Sequence, residues 1–242
     1  MNLKLSYIYH SGYAIEAKDF TIIIDYYKDS ADNPEDGIVH KELLNKKGKL
    51  YVLSTHSHSD HFNPEILRWK DKKKDIQYIF SKDILDNQKA AAEHAIYLDK
   101  LDDYKDDSLI IEAFGSTDLG VSFIIHIKDK TLFHAGDLNN WHWNEESTED
   151  EIREAEAFYK RELDLLAANV KYIDFAMFPV DPRLGKDYMK GAQQFISAIK
   201  TKHLAPMHFG EAYDKAAAFA EYASSKGTKA IQWRRRGEFI EL

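Results

Sequence analysis

The chain has 242 residues, with 33 Lys and Arg against 41 Asp and Glu, a formal net charge of −8, and 44% hydrophobic residues. Length and apolar content suit one α/β domain over residues 1–242 with a sizeable core, and the acidic balance argues against nucleic acid or an anionic membrane as a bulk partner. With no cysteine, disulfides and thiolate metal ligands are excluded; no apolar run reaches the roughly 18 residues of a membrane span, and Met1-Asn2-Leu3-Lys4-Leu5 lacks a signal-peptide profile, so the cytoplasm is the expected compartment.

In chain order, the alternating stretch Leu3–Tyr9 reads as a strand, broken by His10-Ser11-Gly12. Tyr13–Ala17 and Phe20–Tyr26 are two further strands around a Lys18-Asp19 turn. The continuous run Ile22-Ile23-Ile24 points to burial on both faces. A polar loop from about Lys28 to Gly37 leads to a short helix near Val39–Leu44 and then to a buried strand, Lys49–Leu53. Asn63 and Pro64 read as the cap and first residue of a helix. Ile76–Phe80 is another strand, followed by a helix from the cap Ser81 through the Ala90-Ala91-Ala92 block.

Ser108–Phe114 and Val121–Ile127 are strands, with Lys128-Asp129-Lys130 turning into Thr131–Ala135. Glu145–Val170 is the longest predicted helix, opened by Thr148 and Glu151 as a capping box. Tyr172–Pro179 is a strand, Asp187–Lys200 an amphipathic helix, His203–Met207 a strand, Tyr213–Ser225 an Ala-rich helix, and Glu238–Leu242 a final strand. Strands followed by interleaved helices occur twice. That order suits an αββα four-layer sandwich, although pattern alone does not separate it from a three-layer αβα fold. Arg234-Arg235-Arg236 reads as a solvated strand end.

Chemistry concentrates between the strand ending at Leu53 and the turn at Asn63. His56, His58, Asp60 and His61 fall within six residues. Neutral imidazole and carboxylate are good ligands for zinc and related divalent ions. A chain of this composition would contain a His-x-His-x-Asp-His string by chance only ~0.002 times. If the backbone stays extended, His56 and His58 point the same way. Asp60 and His61 then approach from the curling part of the loop.

This string resembles the main metal motif of the metallo-β-lactamase-fold hydrolases. The resemblance implies the four-layer sandwich and further ligands from distant strand ends. Asp137, closing Phe133-His134-Ala135-Gly136-Asp137, matches the family's bridging aspartate. His208, closing Leu204-Ala205-Pro206-Met207-His208, matches its last histidine. The expected metal ligands are thus His56, His58, Asp60, His61, Asp137 and His208, holding one or two Zn2+, with Mn2+ or Fe as alternatives.

The chain departs from the family at the middle histidine, where Gly115 or Ser116 stands. His10, His134 and His142 are candidates for the vacancy. The His10-Ser11-Gly12 turn resembles one in a branch of small metal-dependent hydrolases, which also shows a His-Ala-Gly-Asp segment and an aspartate matching Asp25. In that branch the histidine matching His10 lies near the site. Strand alternation aims His134 away from Asp137. His142, between Trp141 and Trp143, belongs to a loop that follows Asp137 and serves as a substrate wall or a packed cap. Arg183 and Lys186 follow another strand and could meet an anion, though a solvated loop is the simpler reading.

The resemblance implies hydrolysis of a small-molecule ester, lactone or phosphoester, with Asp60 binding metal and handling the nucleophile's proton. The alternative is a non-catalytic metal-binding or sensor protein on the same fold. The sequence leaves oligomeric state open.

Overall fold

The first strands form where the alternation places them: β1 (Lys4–Tyr9), β2 (Gly12–Glu16) and β3 (Phe20–Ile24) make an antiparallel ladder. The computed structural model describes residues 3–242, and Met1 and Asn2 lie outside them. The chain divides into two compact units, one running to Asp99 and including Trp233–Leu242, the other Lys100–Gln232.

In the first unit, β4 (Lys49–Ser54), β5 (Ile76–Ser81) and β6 (Ile96–Leu98) continue from β3 as parallel strands. The closing strand Phe239–Glu241 pairs antiparallel with β1 on the other edge. Every residue of β2 and β3 is buried, as the Ile22–Ile24 run requires of a sheet covered on both faces. One cluster packs Ile23, Val52 and Phe80 with Trp69 and Ile66. Trp69 opens the single-turn helix α2 (Trp69–Lys72), which follows α1 (Ile38–Lys41) in chain order. On the closing segment, Trp233 stacks on Tyr7 at 5.7 Å and donates to Tyr13 Oη at 2.9 Å.

Two differences from the sequence reading arise here. Asn63 does cap, accepting from Glu65 N, but the turn it starts is 3-10 over Pro64–Arg68. The helix after Ser81, α3 (Lys82–Asp86), stops before the alanines. Gln88 takes a left-handed φ of 56°, which an α-helix cannot continue through. Beyond it the chain turns, with His94 N donating to Ala91 O, and enters β6, too short a strand for its pattern to be read.

The register between β1 and β2 slips after Tyr7, so that Tyr9 faces Gly12. His10 sits at the slip with φ 55°. A bulge of this kind re-aims a side chain, and here the one re-aimed is His10.

Glu16 receives both Lys46, at 2.7 Å, and Lys4, at 2.9 Å. Burial would raise its carboxyl, but the hydrogen bonds from Lys46 and Lys4 outweigh that and lower it from the ordinary 4.5. A lowered folded-state value contributes stability that is complete above the unfolded value and drains as pH falls through the folded one. Glu16→Gln should therefore cost up to about 1 kcal/mol at pH 7, given half-exposed lysines, and less at pH 3. Urea denaturation of both proteins at the two pH values checks this.

The second unit follows the same plan. β7 (Asp103–Lys105), β8 (Ile110–Gly115), β9 (Val121–Ile127) and β10 (Lys130–His134) are antiparallel. β11 (Tyr172–Pro179), β12 (Lys200–Met207) and β13 (Lys229–Ala230) continue parallel from β10. Three helices accompany this sheet: α4 (Glu149–Asn169), α5 (Lys190–Ala198) and α6 (Tyr213–Ser225). The Thr148–Glu151 capping box is formed in both directions. The amphipathic stretch predicted from Asp187 starts later, because Pro182–Asp187 is 3-10 and Gly185 takes φ 78°. β7 and β13 were not anticipated. Each is a two- or three-residue edge strand, shorter than a period-2 pattern needs to declare itself.

Each unit therefore holds one mixed sheet with helices beside it, an α/β fold whose pattern occurs twice. Among the described residues, no helix is long and apolar enough to cross a membrane.

Candidate metal centre

In the first unit, candidate ligands gather where parallel strands end. β3 runs into Asp25 and β4 into Thr55 and His56. After His58 the chain folds back, with His61 N and Phe62 N both donating to His58 O at 3.0 and 2.9 Å. The imidazoles become neighbours: ring centroids lie 4.9 Å apart for His56 and His58, and 4.0 Å for His56 and His61. His56 and His58 can each offer a ligand atom within 4.8 Å of the other, as the two-residue spacing predicts. Asp60, His61 and His10 do the same among themselves. Asp60 Oδ2 lies 3.3 Å from His10 Nε2 and 4.0 Å from His61 Nε2.

Asp25 organises this cluster from below. It is fully buried. Its Oδ1 accepts from Thr55 N at 2.7 Å, and its Oδ2 takes Thr55 Oγ1 at 2.7 Å and His61 Nδ1 at 2.8 Å. Thr55 Oγ1 in turn sits 3.1 Å from His56 Nδ1. One carboxylate thus engages Nδ1 of His61 directly and Nδ1 of His56 through a hydroxyl. That fixes both rings with Nε2 as the ligating atom, the arrangement metal-binding histidines use. Ser57, between the two ligands, donates its N–H to Asp83 Oδ2 at 2.8 Å, which holds the loop from α3.

Burial would raise the Asp60 carboxyl, but the hydrogen bond from His10 and the field of His61 overcome it and hold the group well below the usual carboxylate range.

The second unit repeats the design. Asp137 follows β10, Asp181 follows β11 and His208 follows β12, all at the carboxyl ends of parallel strands, where α/β sheets place their sites. His208 Nε2 lies 3.3 Å from Asp137 Oδ1, and its Nδ1 lies 2.9 Å from Asp181 Oδ2. Asp181 is buried, and burial would raise it. The hydrogen bonds to His208 and Arg183 prevail and lower it to about 2. Arg183 grips the same carboxylate with Nε at 3.1 Å from Oδ1 and Nη2 at 2.6 Å from Oδ2. His208 keeps a left-handed φ of 64°, a strained setting for a residue with a Cβ and one that clusters at functional positions.

At the middle-histidine position, a Cβ on Gly115 would meet Glu162 Oε2 at 2.0 Å; this carboxylate, on α4 and paired with Lys100 Nζ at 2.7 Å, would have to swing aside to admit a side chain. Three residues on, Asp118 offers a carboxylate within 4.8 Å of Asp137. Ser116 Oγ accepts from Asp118 N at 3.3 Å. Thr117 Oγ1 lies 3.1 and 2.6 Å from the carbonyls of Asp137 and Asn139, which ties the two loops together.

Of the histidines weighed for the vacancy, His142 is engaged elsewhere: Nδ1 accepts from Asn144 N at 3.2 Å and Nε2 meets Asp187 O at 3.3 Å. It serves the loop, not a metal. His134 is buried, and its Nδ1 accepts from Gly136 N at 3.1 Å. His10 joins Asp60 and His61. Sequence reasoning missed Asp118; a search for histidine passed over the Ser-x-Asp signal one turn later.

The donor chemistry fits divalent ions in both units: imidazoles oriented through Nδ1 and carboxylates, with no thiolate. Zinc suits such a set, and so do manganese and iron.

A family model described as the β-lactamase superfamily domain matches residues 4–153, and the chain belongs to that family. Among solved structures, it is similar over its whole length to Igni18, a metallo hydrolase from Ignicoccus hospitalis KIN4/I, at 17% identity, TM-score 0.70 and 99% of that chain covered. A protein classed as a metal-dependent hydrolase from Parabacteroides distasonis ATCC 8503 matches 97% of this chain and 94% of its own, at 17% identity and TM-score 0.66. CmlA, a diiron β-hydroxylase from Streptomyces venezuelae, matches 99% of this chain with 54% of its own, at 14% identity and TM-score 0.67. No curated protein matches the chain. The fold is thus the α/β metallo-β-lactamase type.

Proposed function

We propose that the protein is a metal-dependent hydrolase of small-molecule esters, lactones or phosphoesters, with divalent metal held by the histidines and carboxylates at the strand ends of each unit. In the first unit His56, His58, Asp60, His61 and His10 would supply the donors; in the second, Asp118, Asp137 and His208 would. Asp118 would stand in for the absent middle histidine. The observation that carries this reading is the pairing of His61 with Asp25 and of His208 with Asp181, which fixes both imidazoles by buried carboxylates.

Divalent ions held there supply Lewis acidity and a nucleophile at neutral pH. The chain's own groups do the rest. Asp60, ionised and hydrogen-bonded to His10, orients the nucleophile and receives its proton. Asp25 and Asp181 keep the imidazoles from rotating. The carboxylates of Asp60, Asp118 and Asp137 would offset the charge of bound cations. Zinc is the ion this donor set favours, and the substrate is a small molecule.

The test is turnover. Metal-loaded protein should hydrolyse members of a panel of aryl esters, lactones and phosphodiesters. Asp60→Ala should reduce the best rate about 10²–10⁴-fold, the usual share of a positioned acid–base group, with an unchanged circular dichroism spectrum. Equal rates in mutant and wild type would refute the assignment.

A further inference from the structure

In the first unit the proposed donors come from one loop, with the exception of His10, which follows β1. His10 sits at the slip between β1 and β2, with φ 55°. Its Nε2 lies 3.3 Å from Asp60 Oδ2, and its ring is edge-on to His61, centroids 6.1 Å apart. A left-handed setting costs a residue with a Cβ, and such strain persists where the surroundings over-determine it. Here the surroundings can be named.

A bulge takes a residue out of the ladder, and its N–H then needs another acceptor. His10 N donates to the phenol oxygen of Tyr7 at 3.0 Å. Tyr7 is fully buried. A phenylalanine would fill the same space with no polar atom to satisfy, so packing alone does not ask for the hydroxyl. On the other side of the turn, a Cβ on Gly12 would meet Tyr9 O at 3.0 Å and Asp25 O at 3.2 Å. The turn therefore lies close against the segment that carries Asp25, the carboxylate that holds His61.

Tyr7 is itself held by the end of the chain. Its N donates to Glu238 O at 2.9 Å, and its O accepts from Gly237 N at 2.8 Å. Trp233, nearly buried, stacks on its ring at an interplanar angle of 15°. Tyr13, opposite Tyr7 in register, packs tilted against the same ring with centroids 5.5 Å apart. The ring is thus fixed by packing and the backbone by hydrogen bonds, which leaves the hydroxyl one position. The closing segment reaches the metal centre through an indole, a phenol and the N–H of His10, although it supplies no proposed ligand.

We infer that Tyr7 is a positioning residue for His10, acting through the His10 N–H, and that Trp233 steadies Tyr7 in that task. Without the hydroxyl the N–H at the bulge loses its acceptor, the turn is free to relax, and Nε2 leaves Asp60. This rests on the reading of His10 as part of the metal centre.

The test is zinc affinity, measured on the full metal-free chain against a competing chelator, with a thermal melt of each variant. Tyr7→Phe should bind zinc about tenfold more weakly, the low end of what an outer partner of a metal ligand is worth. Tyr78→Phe is the control: this buried phenol of the same sheet donates to Ile66 O at 2.6 Å and touches no proposed ligand, so it should melt lower and keep the wild-type affinity. A double-mutant cycle supplies a readout that a purely structural role would not move. His10→Ala should itself weaken binding, and Tyr7→Phe should add no further loss in that background. Trp233→Phe should show a smaller loss that also vanishes with His10→Ala, and it decides the matter if Tyr7→Phe does not fold. Wild-type affinity in Tyr7→Phe, an equal fall in Tyr78→Phe, or a loss that persists undiminished in the His10→Ala background would overturn the inference. The cycle seen in a protein that turns over no substrate would uphold this inference and sink the hydrolase reading; turnover with a zinc affinity indifferent to Tyr7 would do the reverse.

Discussion

Asp25→Asn should fold and yet bind metal at least tenfold more weakly than wild type. Asp25 takes φ 49°, which asparagine tolerates and alanine does not, so the backbone gives no reason for collapse. The carboxamide oxygen can replace Oδ1 and accept from Thr55 N. The NH2 group then occupies the place of Oδ2, which now faces Thr55 Oγ1 and His61 Nδ1. It can only donate. A donor against Nδ1 selects the tautomer with its proton on Nε2, and that is the atom needed for the metal. Loss of such an outer partner ordinarily costs 10–100-fold in metal affinity or activity, on the order stated for carboxylate–histidine pairs. Asp25→Ala should behave differently. It leaves the Thr55 N–H and His61 Nδ1 buried without their acceptor, a destabilisation of about 3–5 kcal/mol. Isothermal titration with zinc and chemical denaturation of the metal-free proteins separate the two effects.

The second large effect has opposite signs for stability and binding. Asp137 and Asp118 bring two carboxylates within 4.8 Å of each other. Without cations these repel. Asp137→Ala removes one of them and should leave the metal-free protein as stable as wild type or more so, by up to about 1 kcal/mol given that Asp118 is exposed and screened. It also removes a proposed ligand, so metal should be lost or bound loosely. In metal-free buffer the mutant melts at or above the wild-type temperature; with excess zinc the order reverses, because ligand binding to the native state stabilises only the protein that still binds. Scanning calorimetry with and without zinc shows the crossing. A mutant that melts lower under both conditions would mean that Asp137 is structural.

Much of this was legible in the sequence, for identifiable reasons. The His56–His61 string could be read because the ligands are contiguous and one strand delivers them. Asp137 and His208 could be read because each closes a strand and the family sets their order. The missing histidine could be noticed, but what lies there could not: Glu162, whose carboxylate fills the space beside Gly115, comes from α4, 47 positions downstream in sequence numbering. Asp118 stands out only once Thr117 is seen bridging two loops. The turn at His10 was visible, while the bulge that aims it is a matter of register. His142, flanked by tryptophans, looked like a ligand candidate, and only the partners of its two nitrogens show that it belongs to the loop. The short strands β6, β7 and β13 exist because long neighbours pair with them, not through any pattern of their own.

The central claim is that the histidines and carboxylates at these strand ends hold the divalent metal of a hydrolase. Elemental analysis of protein purified without chelator or affinity metal tests it most directly, on wild type and His56→Ala/His58→Ala. The account predicts one or two ions per wild-type chain and loss of about one in the mutant. A mutant with the wild-type metal content, or a wild type holding less than one ion and activated by none, would contradict it, the latter favouring a metal-binding protein without turnover.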